Sequence, residues 1–178
     1  MRPGVCIRMP SFKRSTPTRG PLAGALICLI LAPASATALT LQRPLQFFSG
    51  RTETLSTVKV VAKKPYRSRT TGSGRILPDG SLLLVQQVFD EGQTPQQRSW
   101  RIRQLGPGRY GGTMTDAIGP VMVQDVGGRY RFTFRMKGNL SVEQWLTPLA
   151  GGRVARSDVT VKKFGFRVAS SAGMVRKI

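Results

Sequence analysis

The sequence contains no histidine, and its two cysteines, Cys6 and Cys28, both lie near the N-terminus. Histidine is the usual general base near neutral pH and the commonest metal ligand, while a cysteine thiolate is the most reactive side-chain nucleophile. Residues 39–178 can therefore form neither a disulfide nor a thiolate metal site. We expect no metal and no cofactor. Because no recognisable catalytic constellation is present either, we predict that the protein is not an enzyme.

Acidic residues are scarce, since eight stand against 28 lysines and arginines in the 178 residues. A glycosidase-like reaction would need two carboxyl groups about 5–10 Å apart across a cleft, which a sequence does not display. Several of the eight lie in turn-forming stretches, and we interpret the set as turn residues and salt-bridge partners: Glu53, Asp79, Asp90, Glu91, Asp116, Asp125, Glu143 and Asp158.

The sequence also lacks a long hydrophobic run. An apolar stretch over residues 22–32 has about half of the roughly 20 residues that a membrane-spanning helix needs. Basic residues precede it, and Ala34, Ala36 and Ala38 follow it, which is the pattern of a cleavable secretory signal peptide. We predict a signal peptide over residues 1–38 with cleavage near Ala38, and an exported protein that is periplasmic or associated with the cell envelope. A segment retained as a membrane anchor is the alternative.

Removal of residues 1–38 would leave 23 basic and eight acidic residues, a formal charge of +15. The remaining chain of about 140 residues suffices for one domain, over residues 39–178. Glycine- and proline-containing turn signals recur in it every 8–16 residues or so, which suits strands joined in a meander and leaves too little chain for most crossover helices. We predict an all-β fold, an antiparallel meander of about 8–10 strands that closes into a lipocalin-like or calycin-like β-barrel. A flattened sandwich is the competing architecture, and Arg43–Gly50 is the one stretch that suits a short helical turn.

The clearest strand pattern runs from Arg129 to Lys137, where large apolar residues alternate with basic or polar ones. A period of two over nine positions is typical of a half-buried strand. Trp100 and Ile102 alternate with Arg101 and Arg103 in the same way. The inward residues of a closed sheet form either a core or the lining of an apolar ligand cavity. The ligand-cavity candidates are Trp100, Ile102, Tyr110, Met114, Asp116, Tyr130, Phe132, Phe134 and Met136.

Asp116 continues the alternation of Tyr110, Gly112 and Met114, which predicts an inward carboxylate at the end of that strand. An isolated buried charge costs several kcal/mol, so we expect a structural partner such as an arginine. Near the C-terminus, Val159, Val161, Phe164 and Phe166 continue an alternation whose register changes at residues 162–163, which predicts a β-bulge there.

Residues 106–111 satisfy the G-x-G-x-x-G string of dinucleotide-binding proteins. That fingerprint opens a helix after a parallel strand, whereas this segment contains Pro107 and leads into a strand-like sequence. We therefore predict an ordinary hairpin loop.

The mature region resembles the bacterial domain of unknown function family 3833, whose members are envelope proteins with a lipocalin-like fold. The resemblance runs from about Phe47 to the C-terminus and rests on the order and spacing of several short motifs: Phe48-Ser49-Gly50, Phe89-Asp90-Glu91-Gly92 before Trp100, Tyr110 with Gly112, Asp116-Ala117-Ile118-Gly119, Trp145, and Lys163-Phe164-Gly165-Phe166. It implies a calycin-type barrel in the cell envelope and a link to lipid chemistry. It implies no catalytic activity.

Basic residues alternate outward on the predicted strands, and their positive potential would attract the phosphates of lipids, lipopolysaccharide or nucleic acid. We do not expect nucleic acid as a partner, because the aromatic residues of these strands point away from the arginines. The anionic-surface candidates are Arg101, Arg103, Arg129, Arg131, Arg135 and Lys137.

Two functions follow as hypotheses. The first is an exported, non-enzymatic calycin-like protein that binds an amphipathic or lipid-derived ligand in the cell envelope. The alternative is a basic module with a solid core and no ligand cavity, which docks on anionic envelope polymers, lipid head groups or an anionic membrane surface. An enzyme is the third hypothesis.

Overall fold

The computed structural model describes residues 44–178, in which a short helix precedes ten strands. The elements are α1 (Pro44–Phe47), β1 (Gly50–Val60), β2 (Tyr66–Ile76), β3 (Leu82–Asp90), β4 (Gln96–Gly106), β5 (Arg109–Met114), β6 (Val121–Val126), β7 (Arg129–Met136), β8 (Leu140–Pro148), β9 (Val154–Lys163) and β10 (Phe166–Lys177). Each strand pairs antiparallel with the next, and β1 pairs with β10. The predicted all-β antiparallel barrel is confirmed, and the sandwich is wrong.

Tight turns join most of the strands, as the spacing of glycines predicts. Pro107 and Gly108 connect β4 to β5, so the segment with the G-x-G-x-x-G string is a hairpin and does not open a helix. Gly138 and Asn139 both have positive φ, 77° and 58°, between β7 and β8. Two central residues with positive φ match the right-handed twist of the flanking strands, and Gly and Asn adopt that conformation at low cost.

One end of the barrel is closed by the N-terminal segment. Leu45, Phe47 and Phe48 are buried there, and the two phenylalanine rings meet edge to face at 5.1 Å. The carbonyl oxygen of Phe48 lies 1.9 Å from the place where a Cβ atom on Gly74 would stand, so only glycine lets this segment approach β2 so closely. The hydrophobic core of the barrel includes these residues and inward side chains of the strands: Leu82, Leu84, Trp100, Ile102, Tyr110, Met114, Val121, Val123, Tyr130, Phe132, Leu146, Ala155 and Val175.

The β9–β10 hairpin differs from the sequence prediction. Phe164 and Gly165 form its turn with φ of 50° and 86°, and Phe166 begins β10 with its side chain in solvent. The register irregularity lies in β10, between Arg167 and Ala169, and not at residues 162–163. The prediction extended the alternation of β9 through residues that form the turn. It took no account of Gly165, whose positive φ is typical of a turn.

The predicted signal peptide, the alternative membrane anchor and the proposed cleavage near Ala38 lie outside the described residues. The described residues belong to one compact unit. No helix within residues 44–178 is long and apolar enough to cross a membrane.

Tyr130 gives the closed end a measurable pH dependence. Burial, and then the charge of Asp125 and the neighbouring Tyr110, raise the pKa of Tyr130 to about 12. An unfolded tyrosine titrates near pH 10, so the folded state disfavours the phenolate. We expect the contribution of Tyr130 to the free energy of unfolding to be constant below pH 10 and to shrink as the pH rises from about 10 to 12. Denaturant unfolding of the wild type and Tyr130→Phe at several pH values measures the difference. An equal loss of unfolding free energy in the two proteins between about pH 10 and 12 would contradict the raised pKa of Tyr130.

Candidate functional site

The inward side chains of β9, β10, β1 and β2 are small, and many of them carry hydroxyl groups among valine and alanine residues. Leu146 of β8 is fully buried, and its partner across the sheet is Ser157. Ser157 pairs with Gly173, Gly173 with Ser56, and Ser56 with Ser68, so this row of cross-strand partners shares the inner face. We call the inward hydroxyl residues of these four strands, apart from the buried Thr52 near α1, the hydroxyl wall: Thr54, Ser56, Ser68, Thr70, Ser157 and Ser171.

The inward side chains opposite the hydroxyl wall are large and apolar. Trp100 meets Phe134 edge to face at 5.6 Å. Apolar residues alternate with polar ones along most of β4, β5 and β7, so the large apolar side chains at the alternating positions face inward. We call this set the apolar wall: Trp100, Met114, Phe132, Phe134 and Met136.

Two glutamines stand between the walls. Gln86 Oε1 accepts a hydrogen bond of 2.7 Å from Trp100 Nε1. Gln144 Nε2 donates to Ser157 Oγ at 2.9 Å. These bonds satisfy polar atoms that would otherwise lose their hydration without compensation. They also fix the orientation of one residue in each wall.

Several inward side chains are not fully buried in the half of the barrel away from α1, which we call the open half. Ser56, Thr70, Gln86 and Ser171 face inward and yet remain partly accessible to water. A solid core would cover such positions with apolar groups, since protein interiors are packed as densely as organic crystals. The open half therefore has inward positions that water reaches in part, with hydroxyl residues on one side and large apolar residues on the other.

Arg98 lies at the mouth of the open half, on the inner face beside Gln86. Its Nε atom donates to Asp116 Oδ2 at 3.0 Å, and the two side chains are 32% and 37% exposed. Asp116 stands two residues beyond the end of β5, and not within that strand, but its carboxylate has the arginine partner that we expected. Within residues 44–178 the Arg98 guanidinium makes one hydrogen bond, through its Nε atom. Its two terminal nitrogen atoms therefore keep donors for another group.

The structure divides the nine ligand-cavity candidates into two groups. Ile102, Tyr110 and Tyr130 are almost fully buried in the core on the side of α1. The other six belong to the apolar wall or to the mouth: Trp100, Met114, Asp116, Phe132, Phe134 and Met136. Sequence reasoning missed the hydroxyl wall and Arg98. Arg98 lies two residues before Trp100, and residues two apart on a strand share a face. This spacing could have assigned Arg98 to the inner face.

The six anionic-surface candidates lie on the outer face, but three of them already have partners. Arg101 binds Asp79 at 2.7 Å, and Arg131 Nε binds Glu143 at 2.9 Å. The Arg129 guanidinium lies 4.4 Å from the centroid of the Trp145 ring. Arg103, Arg135 and Lys137 are exposed. The aromatic residues of β4 and β7 point away from these arginines, as expected, whereas Trp145 of the neighbouring β8 lies on the outer face next to Arg131.

The acidic residues act mainly as structural acceptors, and seven of the eight side chains accept a hydrogen bond. Bonds from Ser81 and Arg101 lower the pKa of Asp79 to about 2. Bonds from Arg131 and Trp145 hold the pKa of Glu143 below its usual range. Among the described residues, no group of three or more potential ligand side chains could hold a metal ion.

A sequence model of the family described as "Protein of unknown function (DUF3833)" matches residues 34–177. The chain belongs to the DUF3833 family. The resemblance that the sequence motifs indicated is thereby confirmed. No curated protein matches this DUF3833 chain.

Solved structures show the same fold at low sequence identity. An S-type phycobiliprotein lyase from Guillardia theta is 7% identical, with a TM-score of 0.61 over 75% of this chain and 90% of the lyase. A protein of unknown function from the DUF3598 family of Nostoc punctiforme is 11% identical, with a TM-score of 0.56 over 76% of this chain and 49% of that protein. These likenesses establish that the DUF3833 chain has a barrel fold found in other proteins.

Proposed function

We propose that this DUF3833 protein is an exported barrel that binds one amphipathic, lipid-derived molecule in its open half, within the cell envelope. The observation that carries the proposal is the division of the interior into a hydroxyl wall and an apolar wall. A ligand with an acyl chain and a polar backbone has the same two sides. Barrels of about eight strands have room for side chains or for one small ligand. The partly accessible inward residues favour the second case here.

Trp100, Phe134 and Met136 would hold the apolar part of the ligand. Their burial on binding removes apolar surface from water, which contributes roughly 25 cal/mol per Å². The hydroxyl wall would bond to ester or hydroxyl oxygens. Hydroxyl groups both donate and accept, so this wall suits a ligand whose oxygens are arranged along one edge.

Arg98 would bind an anionic head group at the mouth. Asp116 bonds to Nε and orients the guanidinium, which leaves the terminal nitrogens to bind a carboxylate or phosphate. A hydrogen bond to a charged group contributes about 1.5–3 kcal/mol, or roughly 10–150-fold in affinity.

The two tryptophans provide the test, because Trp100 lies inside the barrel and Trp145 outside. In Trp145→Phe, we expect the emission of Trp100 to change as monomeric oleate is added. Trp100→Phe is the matched control, and its remaining Trp145 emission should stay constant. In the Trp145→Phe background, Arg98→Gln should weaken oleate at least tenfold and leave an alcohol of equal chain length nearly unaffected.

An unchanged Trp100 emission, together with no bound lipid in native mass spectra, would contradict the proposal. Equal weakening of acid and alcohol by Arg98→Gln would show that the residue does not bind the head group. The same mass spectra test whether the ligand is altered chemically. A binding protein should leave its ligand unaltered. Because a solved structure with this fold is a lyase, the third hypothesis, an enzyme, predicts a chemically altered ligand instead.

The second candidate function is docking on polyanions through the outer face. An open groove of about 450 Å³ favours it, since Arg101 and Arg103 line this groove together with Leu105 and Met122. Binding of this kind would fall steeply with salt and would not depend on acyl length. Because Arg131 is already paired with Glu143, the better test is Arg103→Glu with Arg135→Glu, which removes two exposed charges without breaking an ion pair.

A further inference from the structure

Two neighbouring turns at the open end of the barrel carry three exposed apolar side chains. Phe164 is 71% exposed, Phe166 is 78% exposed and Val61 is 67% exposed. Phe164 lies in the β9–β10 turn and Phe166 beside it, while Val61 begins the β1–β2 turn. The two turns are neighbours, because Val60 pairs with Ala169 and the Val61 N–H donates to the Val168 carbonyl at 3.0 Å. We call these three residues the tip patch.

Folding stability does not explain Phe164. Its φ of 50° lies in the left-handed region, where a bulky side chain is disfavoured and glycine or asparagine is the usual choice. Its ring is mostly in water, so packing does not compensate for the strain. A bulky side chain with a strained backbone and an exposed ring is typical of a functional position.

The two chain segments that carry the tip patch are themselves basic, although Glu91 of the β3–β4 turn lies beside Arg67. The segments 59–67 and 162–167 contain seven lysines and arginines and no acidic residue: Lys59, Lys63, Lys64, Arg67, Lys162, Lys163 and Arg167. None of these side chains takes part in the ion pairs of the described residues. The Lys163 Nζ atom lies 5.8 Å from the centroid of the Phe164 ring.

Exposed aromatic rings among unpaired lysines suit the surface of an anionic bilayer. Aromatic side chains partition into the head-group region, and the negative surface potential of acidic phospholipids attracts the basic residues around them. A soluble polyanion would match the charges but would give the phenylalanines nothing apolar to enter. The combination therefore favours a lipid bilayer over a nucleic acid or a polysaccharide.

We infer that the tip patch docks on an anionic phospholipid bilayer, with Phe164 and Phe166 inserted between the head groups. The surrounding lysines then lie against the lipid phosphates. This geometry turns the mouth of the open half toward the membrane, so that a lipid-derived ligand passes between bilayer and barrel. The docking goes beyond the proposed function. Only the passage of a ligand between bilayer and barrel rests on that function.

Vesicle flotation tests the inference, with vesicles of phosphatidylcholine alone or mixed with phosphatidylglycerol. We expect the wild type to bind the mixed vesicles and to bind the neutral ones at least tenfold less. Phe164→Asn with Phe166→Ser should reduce binding to the mixed vesicles at least tenfold. The Phe164→Asn change should at the same time leave the melting temperature equal or higher, because asparagine tolerates the positive φ.

Leu149→Ser with Val126→Ser is the matched control, since these exposed apolar residues lie at the end of the barrel near α1. This control should float as well as the wild type. Flotation of the Phe164 and Phe166 variant at the wild-type level would overturn the inference. So would a concentration-dependent dimer of the wild type that this variant abolishes, since the patch would then be an interface between two copies.

Oleate titration of the same variants, in the Trp145→Phe background, keeps the two proposals apart. Unchanged oleate affinity with lost flotation supports docking as a separate activity. Flotation without oleate binding would preserve the docking and contradict the proposed function.

Discussion

Replacing Gly112 by alanine lowers the free energy of unfolding by about 3 kcal/mol or more, at or above the usual range for overpacking. An added Cβ atom would stand 1.8 Å from the Arg101 carbonyl oxygen and 2.9 Å from the Ile102 Cα atom. Both are backbone atoms of β4, with which β5 pairs at this position. No side-chain rotation can relieve the clash, so the two strands must separate. Chemical denaturation followed by near-ultraviolet circular dichroism measures the loss.

Gly106→Ala is the matched control, because its new Cβ atom would meet nothing closer than 3.5 Å. We expect this variant to unfold within about 0.5 kcal/mol of the wild type, as exposed substitutions usually do. If the Gly112 variant were as stable as the Gly106 variant, β4 and β5 would not approach each other as closely as the structure shows.

Replacing Ser171 by phenylalanine should reduce the affinity for oleate by at least tenfold while the barrel stays folded. Ser171 faces inward from β10 between Val159 and Val58, and it is partly accessible to water. A phenyl ring there would occupy the space in which we place the acyl chain. If this position borders the proposed ligand space, the ring fits without overpacking, and the free energy of unfolding should change by less than about 1 kcal/mol. Oleate titration and thermal unfolding of the same preparation measure both quantities.

Ala155→Phe provides the contrast, since Ala155 is completely buried in the core. The same ring should there cost about 1–3 kcal/mol or more, because overpacking forces neighbouring side chains and backbone to move. Similar destabilisation by both substitutions would mean that the open half is as solid as the core, and the ligand proposal would fail.

The parts of the fold that were predictable are those in which the two faces of a strand differ in chemistry. In β4 and β7, arginines alternate with aromatic or aliphatic residues, so the inner face could be assigned from the period of two. The apolar wall followed from this assignment. The hydroxyl wall did not, because Ser56 and Ser68 lie on strands that are polar on both faces, and alternation then carries no information about which face is inside.

Pairings between distant strands were predictable only in general terms. The number of strands and their short turns favoured a closed sheet, but the contact between β1 and β10 joins residues more than a hundred positions apart. The position of Phe164 was mistaken because the alternation of β9 was extended past Gly165. Arg98 was overlooked because basic residues were assigned to the outer face, although its position relative to Trp100 places it inside.

The accessibility of a single cysteine at position 171 tests the accessible interior most directly. In a chain whose Cys6 and Cys28 are replaced by serine, Ser171→Cys introduces an inward thiol in the open half. Val175→Cys places one on the same face of β10, where the native side chain is 3% exposed. We predict that a small thiol reagent modifies Cys at position 171 much faster than at position 175, and that bound oleate protects position 171. Equally slow modification at both positions, or no protection by oleate, would contradict the account.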